Sequence, residues 1–352
     1  MSGLIVTALV ILVFIVIYQI AKASELATLL RGEEKVKQQT NRLMAWLMVV
    51  FFLLGMYGIL ECHHYLSDKM LPESASVQGD NYDTMLLVTL TLTGIVFFIT
   101  QTLLFYFVFR YQASEKRNAY FYAHNNKLEV LWTTVPALAL VVLVVIGLKN
   151  WFTMFDKAPD NSLVVQIMGK QFNWLIRYPG PDGVLGKTDF RLMDDAKNVM
   201  GLDWNDPYAK DDIIVESGEM HIVKGQPVHL VINSRDVIHD VGLPHFRMKM
   251  DAVPGVTTSM WFTPKFTTEE MKSITKNNDF VYEISCDQMC GKGHYSMRGT
   301  VVVQTDAEFK TWLAGLPSYY ANVSKSAAPA AEDAKEAAPA PAAADTTVAA
   351  VH

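Results

Sequence analysis

Residues 286–297 read Cys286-Asp287-Gln288-Met289-Cys290-Gly291-Lys292-Gly293-His294-Tyr295-Ser296-Met297. Two thiols stand four residues apart, an imidazole follows four residues after the second, and a thioether three after that. Thiolate, imidazole and thioether are soft ligands that suit copper or zinc far better than calcium or magnesium. The spacing lets one tight loop wrap a metal, with Gly291 and Gly293 supplying backbone freedom around it. A structural zinc site of four Cys/His ligands has no use for Met297. A blue-copper site takes one Cys, two His and a weak Met, and leaves one thiol over. Two thiolates bridging two copper ions would use both thiols, with one imidazole and one weak outer ligand for each ion. The loop offers His294, Met297 and a backbone carbonyl, for which Gln288 is the candidate. The missing imidazole must come from an upstream strand end, and His239 in Asp236-Val237-Ile238-His239-Asp240-Val241 is placed to supply it. A zinc clip or free thiols is the plain alternative.

His239, the run Lys249-Met250-Asp251-Ala252-Val253-Pro254-Gly255 and the set Cys286, Cys290, His294 and Met297 resemble subunit II of the haem–copper cytochrome c oxidases. The resemblance spans roughly residues 85–320. It implies a cupredoxin domain, a Greek-key β-sandwich, carrying the dinuclear copper centre called CuA on the periplasmic face of a bacterial inner membrane. That centre takes electrons from a c-type cytochrome, or from a cytochrome c domain of a neighbouring complex. It passes them to a haem in subunit I, where oxygen is reduced to water with proton translocation. Subunits I and III are the implied neighbours in the membrane.

Three positions depart from the family pattern. The segment Gly169-Lys170-Gln171-Phe172-Asn173-Trp174 normally has a Trp facing the cytochrome where this chain has Phe172. Phe172 is therefore the candidate electron entry, while Trp174 is either a second aromatic of that route or core. Gln288 stands where many relatives have a Glu that binds magnesium shared with subunit I, and an amide oxygen is a weaker ligand for a hard cation. Arg235 replaces a frequent acid. Asp236, Asp240 and Asp287 are candidates for steering a basic cytochrome.

The chain has 352 residues, 51% of them hydrophobic, and a net charge of −6, which argues against nucleic acid as a partner. Its three cysteines cannot build a disulfide framework. The third, Cys62, lies in Glu61-Cys62-His63-His64 and reads as a lone interfacial thiol rather than a second metal cluster.

Four apolar runs, 4–20, 44–60, 85–109 and 130–148, are each long enough to cross a bilayer as helices. The first lacks a basic leader region and reads as a retained span rather than a signal peptide. Lys22, Arg31, Lys35, Lys37 and Arg42 follow the first run, and Arg110, Lys116, Arg117 and Lys127 follow the third. Basic loops stay in the cytoplasm, so the N-terminus and everything after residue 148 are expected outside. Family members usually have two spans, matching the third and fourth runs. Glu129 opens the fourth span, where an acid favours the helix dipole. The resemblance adds a second role for it, at the mouth of a proton path leading into subunit I.

From about residue 162 the pattern has period two. Strands are expected at 164–168, 171–178, 213–216, 221–223, 228–233, 281–285 and 300–304. Residues 180–212, rich in Gly, Pro and Asp, read as an insertion with little regular structure. A helix is expected at 306–313, capped by Thr305 or Asp306. The Ala/Pro-rich segment 324–352 reads as a disordered tail and has no haem-attachment motif. The expected organisation is two extra membrane helices with a cytoplasmic loop (1–60), a periplasmic loop (61–84), a transmembrane hairpin (85–155), a copper-binding domain (156–323) and the tail.

Three rivals are weaker. A quinol oxidase subunit II keeps the fold but lacks these metal ligands. Nitrous-oxide reductase needs a propeller domain, for which there is no room. A membrane-anchored copper-binding or storage protein without an electron-transfer role would not need a sandwich flanked by paired spans.

Overall fold

The computed structural model describes residues 2–114 and 117–327. The chain divides into a helical unit and a β-sheet unit. In the helical unit, α1 (Ser2–Arg31), α2 (Glu33–Met70), α3 (Val77–Arg110) and α4 (Asn126–Phe155) are each long and apolar enough to cross a membrane. The helices extend well beyond the apolar runs. Residues 21–43, expected as a loop, are helical except at Gly32, whose φ of 84° breaks the chain between α1 and α2. Their Ala, Leu, Glu, Lys and Gln content favours helix even outside the apolar core of a span. The loop expected at 61–84 shrinks likewise to the short stretch between Met70 and Val77.

Aromatic packing joins α2 to α3. Trp46 meets Phe109 edge-on at 4.8 Å, and Phe52 meets Phe105 at 4.9 Å. Moving from Trp46 to Phe52 along α2 thus moves from Phe109 back to Phe105 along α3, so the pair is antiparallel. Met85 lies against Gly147, and its sulfur is 3.8 Å from the Asn150 amide, which places α4 antiparallel to α3. Glu129 is exposed in the first turn of α4, which continues through Pro136.

The sheet unit contains two five-stranded sheets. One has the order β3-β2-β1-β5-β8, from β1 (Leu163–Lys170), β2 (Asn173–Tyr178), β3 (Ile213–Val215), β5 (Val228–Ser234) and β8 (Thr258–Phe262). The other has the order β4-β10-β9-β6-β7, from β4 (Glu219–Val223), β6 (His239–Leu243), β7 (Met248–Ala252), β9 (Tyr282–Cys286) and β10 (Arg298–Gln304). The parallel pairs β1/β5 and β4/β10 join strands distant in sequence, giving the expected cupredoxin sandwich. Val165, Ile167, Trp174, Ile176, Leu230, Ile232, Ile284 and Val301 are fully or almost fully buried. Alternation along β5 puts every second residue in this core, as a strand with one covered face requires.

Three strands, β6, β7 and β8, were not expected. The Asp, Gly, Lys and Ala of β6 and β7 are low in strand propensity, and partner strands override it; β8, with Thr258, Trp261 and Phe262, has no such handicap. β6 lies between β7 and β9, with Val241 opposite both Met250 and Cys286.

Residues 180–212 also differ from expectation. They hold only two short 3₁₀ turns, Phe190–Leu192 and Pro207–Ala209, yet they are packed. Val199, Met200, Leu202 and Ala209 are buried against Met168, Leu175 and Tyr319. Beneath them Arg177 donates to the Gly186 carbonyl, to Gln166 and to Asp212, with both members of the ion pair almost wholly buried.

The helix α5 (Thr268–Thr275) opens with a Thr267/Glu270 capping box, and α6 (Asp306–Ala314) with a Thr305/Glu308 one. The helix α7 (Tyr319–Ala327) occupies the first residues of the segment expected to be a disordered tail. Tyr319 anchors it to the 180–212 cluster. The rest of that segment lies outside the described residues.

Candidate metal centre

The end of β9 delivers Cys286, the start of β6 delivers His239, and the loop between β9 and β10 delivers the remaining donors. The two sulfurs are 3.7 Å apart and unbonded. His239 Nδ1 lies 3.8 Å from Cys286 Sγ, and His294 Nδ1 lies 3.7 Å from Cys290 Sγ. Met297 Sδ is 3.9 Å from Cys290 Sγ, and the Gln288 carbonyl is 3.2 Å from Cys286 Sγ. The six candidate ligands therefore converge. His239 Nδ1 and both sulfurs fall within 4.8 Å of one another.

Burial and hydrogen bonding prepare these groups. His239, Cys286, Cys290 and Met297 are all buried. His239 Nε2 lies 2.8 Å from Asp236 Oδ1, an acceptor, so Nε2 carries the proton and Nδ1 turns its lone pair to the sulfurs. A carboxylate behind a ligating imidazole fixes its orientation in this way. Burial, and then the adjacent Cys286, push the Cys290 thiol up to about 11. The buried Cys290 thiol thus resists ionisation by itself, and a soft cation beside it would favour the thiolate.

The loop's glycines have different tasks. Gly291 has a φ of 136°, which a side chain resists. Gly293 has an ordinary φ of −94°, contrary to the expectation that it supplies unusual backbone angles. Its requirement is steric, since an added Cβ would lie 2.4 Å from Phe172 Cδ2. The Phe172 ring thus lies directly on the metal loop, half-buried. Trp174 is fully buried, with its ring 6.0 Å from that of His239. It is a core residue of a strand buried on both faces from Trp174 to Tyr178, and only Phe172 of the two aromatic candidates reaches solvent.

The acids also separate. Asp287 is exposed. Asp240 is buried, which removes it from the steering candidates, and burial followed by its hydrogen bond with Asp251 pushes its carboxyl up to about 7. Asp236 is held by His239, by the Gln171 N–H and by the Val237 N–H, so its charge serves the centre rather than the surface. The Gln288 side chain is exposed, and only its carbonyl faces the sulfurs. Cys62 is exposed on α2 and belongs to no ligand cluster among the described residues. Sequence reasoning missed Gln171 and Gly169, both in the β1–β2 hairpin. Gln171 donates to the Cys290 carbonyl, and Gly169 lies against the His239 ring. Polar and small residues in a hairpin carry no signal of what they touch across 70 or more residues of chain.

Two family models match the chain. One describes the transmembrane domain of cytochrome c oxidase subunit II and covers residues 64–149, and the other describes its periplasmic domain and covers residues 163–305. The alternative cytochrome c oxidase subunit 2 of Bradyrhizobium diazoefficiens is 35% identical over 231 residues, 66% of this chain and 78% of the relative. The cytochrome c oxidase subunit 2 of Thermostichus vulcanus is 26% identical over 289 residues, 76% of this chain and 84% of the relative. Among solved structures, the periplasmic domain of subunit II of the cytochrome oxidase of Bradyrhizobium japonicum is 24% identical. It covers 45% of this chain and 95% of its own, with a TM-score of 0.31.

Proposed function

Because the chain belongs to the cytochrome c oxidase subunit II family, we propose that it holds the dinuclear copper centre through which electrons enter a haem–copper oxidase. The ligands are His239, Cys286, the Gln288 carbonyl, Cys290, His294 and Met297. One observation carries this reading, the two-ended arrangement of donors around the paired sulfurs. His239 and the Gln288 carbonyl stand at Cys286, while His294 and Met297 stand at Cys290. One ion at either end would leave the other imidazole idle, whereas two ions sharing both thiolates use every donor. When bound, such a pair accepts one electron at a time with little change in geometry.

The chain's own residues keep the site rigid and dry. Asp236 orients His239, the sandwich buries the sulfurs, and Phe172 covers the loop and presents its ring to a donor. The donor is a c-type cytochrome or a cytochrome c domain of a neighbouring complex. The acceptor is a haem of subunit I, where oxygen reduction and proton translocation take place. The distribution of basic residues puts the sheet unit on the periplasmic face, and subunits I and III flank the spans. Glu129, exposed at the opposite end of α4, opens a proton path into subunit I.

The test is copper analysis with electron paramagnetic resonance of the full-length chain, purified in neutral detergent and loaded with copper. The expected spectrum is a hyperfine multiplet from one electron shared equally by two copper nuclei, lost in Cys286→Ser and in Cys290→Ser. A spectrum of a single copper, or preferential retention of zinc, overturns the proposal.

A further inference from the structure

We propose that a basic cleft at one end of the helical unit binds the phosphate headgroup of an anionic membrane lipid. The cleft, of about 470 Å³, lies between the first turns of α2 and the chain that leaves α3. Lys35, Gln38, Gln39 and Arg42 line it from α2, and Gln112 and Arg117 from the other side. No carboxylate is among the described residues that line it. Glu34 lines the adjoining depression, together with Lys37.

Lys35 and Arg42 are seven residues apart on one helix, two turns along the same face. The side chain of neither makes an ion pair or hydrogen bond among the described residues. Arg117 is held in place by donating to the Arg110 carbonyl at 2.6 Å, at the end of α3. Three cations and three amides thus line one space, the Gln112 amide also donating to the Phe109 carbonyl. An excess of cations at the inner ends of spans is ordinary. Its concentration in a single cleft with amide donors, and without acids among the described residues that line it, needs a further cause. A phosphate diester, an anion with several acceptor oxygens, fits that donor set.

Depth favours a lipid as the source of the phosphate. Trp46 and Phe109 pack edge-on one turn from Arg42 and next to Arg110, where the apolar runs end. An amphipathic Trp such as Trp46 at the end of a span marks the level of the headgroups, and basic pockets between spans at this level take anionic headgroups. The cleft depends on α2, most of which precedes the matched transmembrane segment 64–149. Lipid capture would therefore be a task of the additional helices.

The test is native mass spectrometry of the full-length, copper-loaded chain in neutral detergent, with equimolar phosphatidylglycerol and phosphatidylcholine. Lys35→Gln/Arg42→Gln removes two exposed cations from the cleft, and Arg31→Gln/Lys127→Gln removes two outside it. The wild type and the outer variant should retain phosphatidylglycerol over phosphatidylcholine, and the cleft variant should lose that preference by about tenfold or more. Millimolar inorganic phosphate should not displace the lipid. Equal preference in the cleft variant, or equal loss in both variants, overturns the proposal. Displacement by phosphate would instead make the cleft a site for free anions, and the lipid reading would fall.

Discussion

The side-chain amide of Gln171 donates to the Cys290 carbonyl at 2.5 Å, while its backbone N–H donates to the Asp236 carboxylate at 2.7 Å. Asp236 in turn accepts from His239. One residue of the β1–β2 hairpin therefore ties the metal loop to the carboxylate that aims the opposite imidazole. Gln171→Ala should leave the sandwich folded and weaken copper retention by about 10- to 100-fold, the range for partners one shell removed from a metal. Competition against a copper chelator, read with the paramagnetic spectrum, checks this. Unchanged retention would mean that the loop is held by its own ligands alone.

Gly169 makes the hairpin's other contact with the centre. A Cβ there would lie 2.7 Å from Cδ2 of the buried His239 ring, so one of the two must shift. Gly169→Ala should cost about 1–3 kcal/mol of stability by overpacking. It should also push the His239 imidazole away from Cys286, lowering copper stoichiometry. Copper analysis beside a melting curve separates the two effects, and a normal copper content with a lowered Tm would show that His239 is not displaced.

The centre was legible because its donors are concentrated. Cys286, Cys290, His294 and Met297 fall in twelve residues, and a chemist needs no fold to see that they suit a soft metal. His239 was legible only as the imidazole that such a set lacks. The spans declared themselves by length and apolarity. What escaped was whatever depends on partners far along the chain. The strands β6 and β7 are built from residues of poor strand propensity, and they form because β9 and each other complete their ladders. Residues 180–212 looked structureless because Gly, Pro and Asp predominate, yet Met200 and Leu202 are buried and Arg177 reaches up from β2 to hold them. Composition reports secondary structure there, not packing.

That Arg177–Asp212 pair yields a third expectation. Burial pulls the guanidinium down and pushes the carboxyl up, and their close contact keeps both ionised. Removing one partner strands a buried charge, so Asp212→Leu should cost about 3–5 kcal/mol, whereas replacing both by apolar side chains of similar volume should cost much less. Thermal unfolding of Asp212→Leu, Arg177→Met and the double variant forms the required cycle. Additive losses would show that the two charges do not depend on each other.

The last expectation concerns pH and a residue remote from the metal ligands. His245 packs edge-on against Phe280 at 5.0 Å and Tyr282 at 5.6 Å, and its Nδ1 has no hydrogen-bond partner. Burial first, and then the neighbouring Arg247, hold its pKa below the ordinary histidine value, with Glu283 opposing them. The unfolded chain takes up a proton near the ordinary value while the folded chain resists. The stabilising contribution is therefore complete above about pH 6.5 and is lost as pH falls below it, at up to about 1.4 kcal/mol per pH unit for one proton. His245→Phe keeps an aromatic ring against Phe280 and Tyr282 but cannot bind the proton. Its Tm should fall less steeply than that of the wild type between pH 6.5 and 5.5. Some slope should persist, because burial lowers His229 as well. Parallel curves for the two proteins would show that His245 takes up no proton on unfolding.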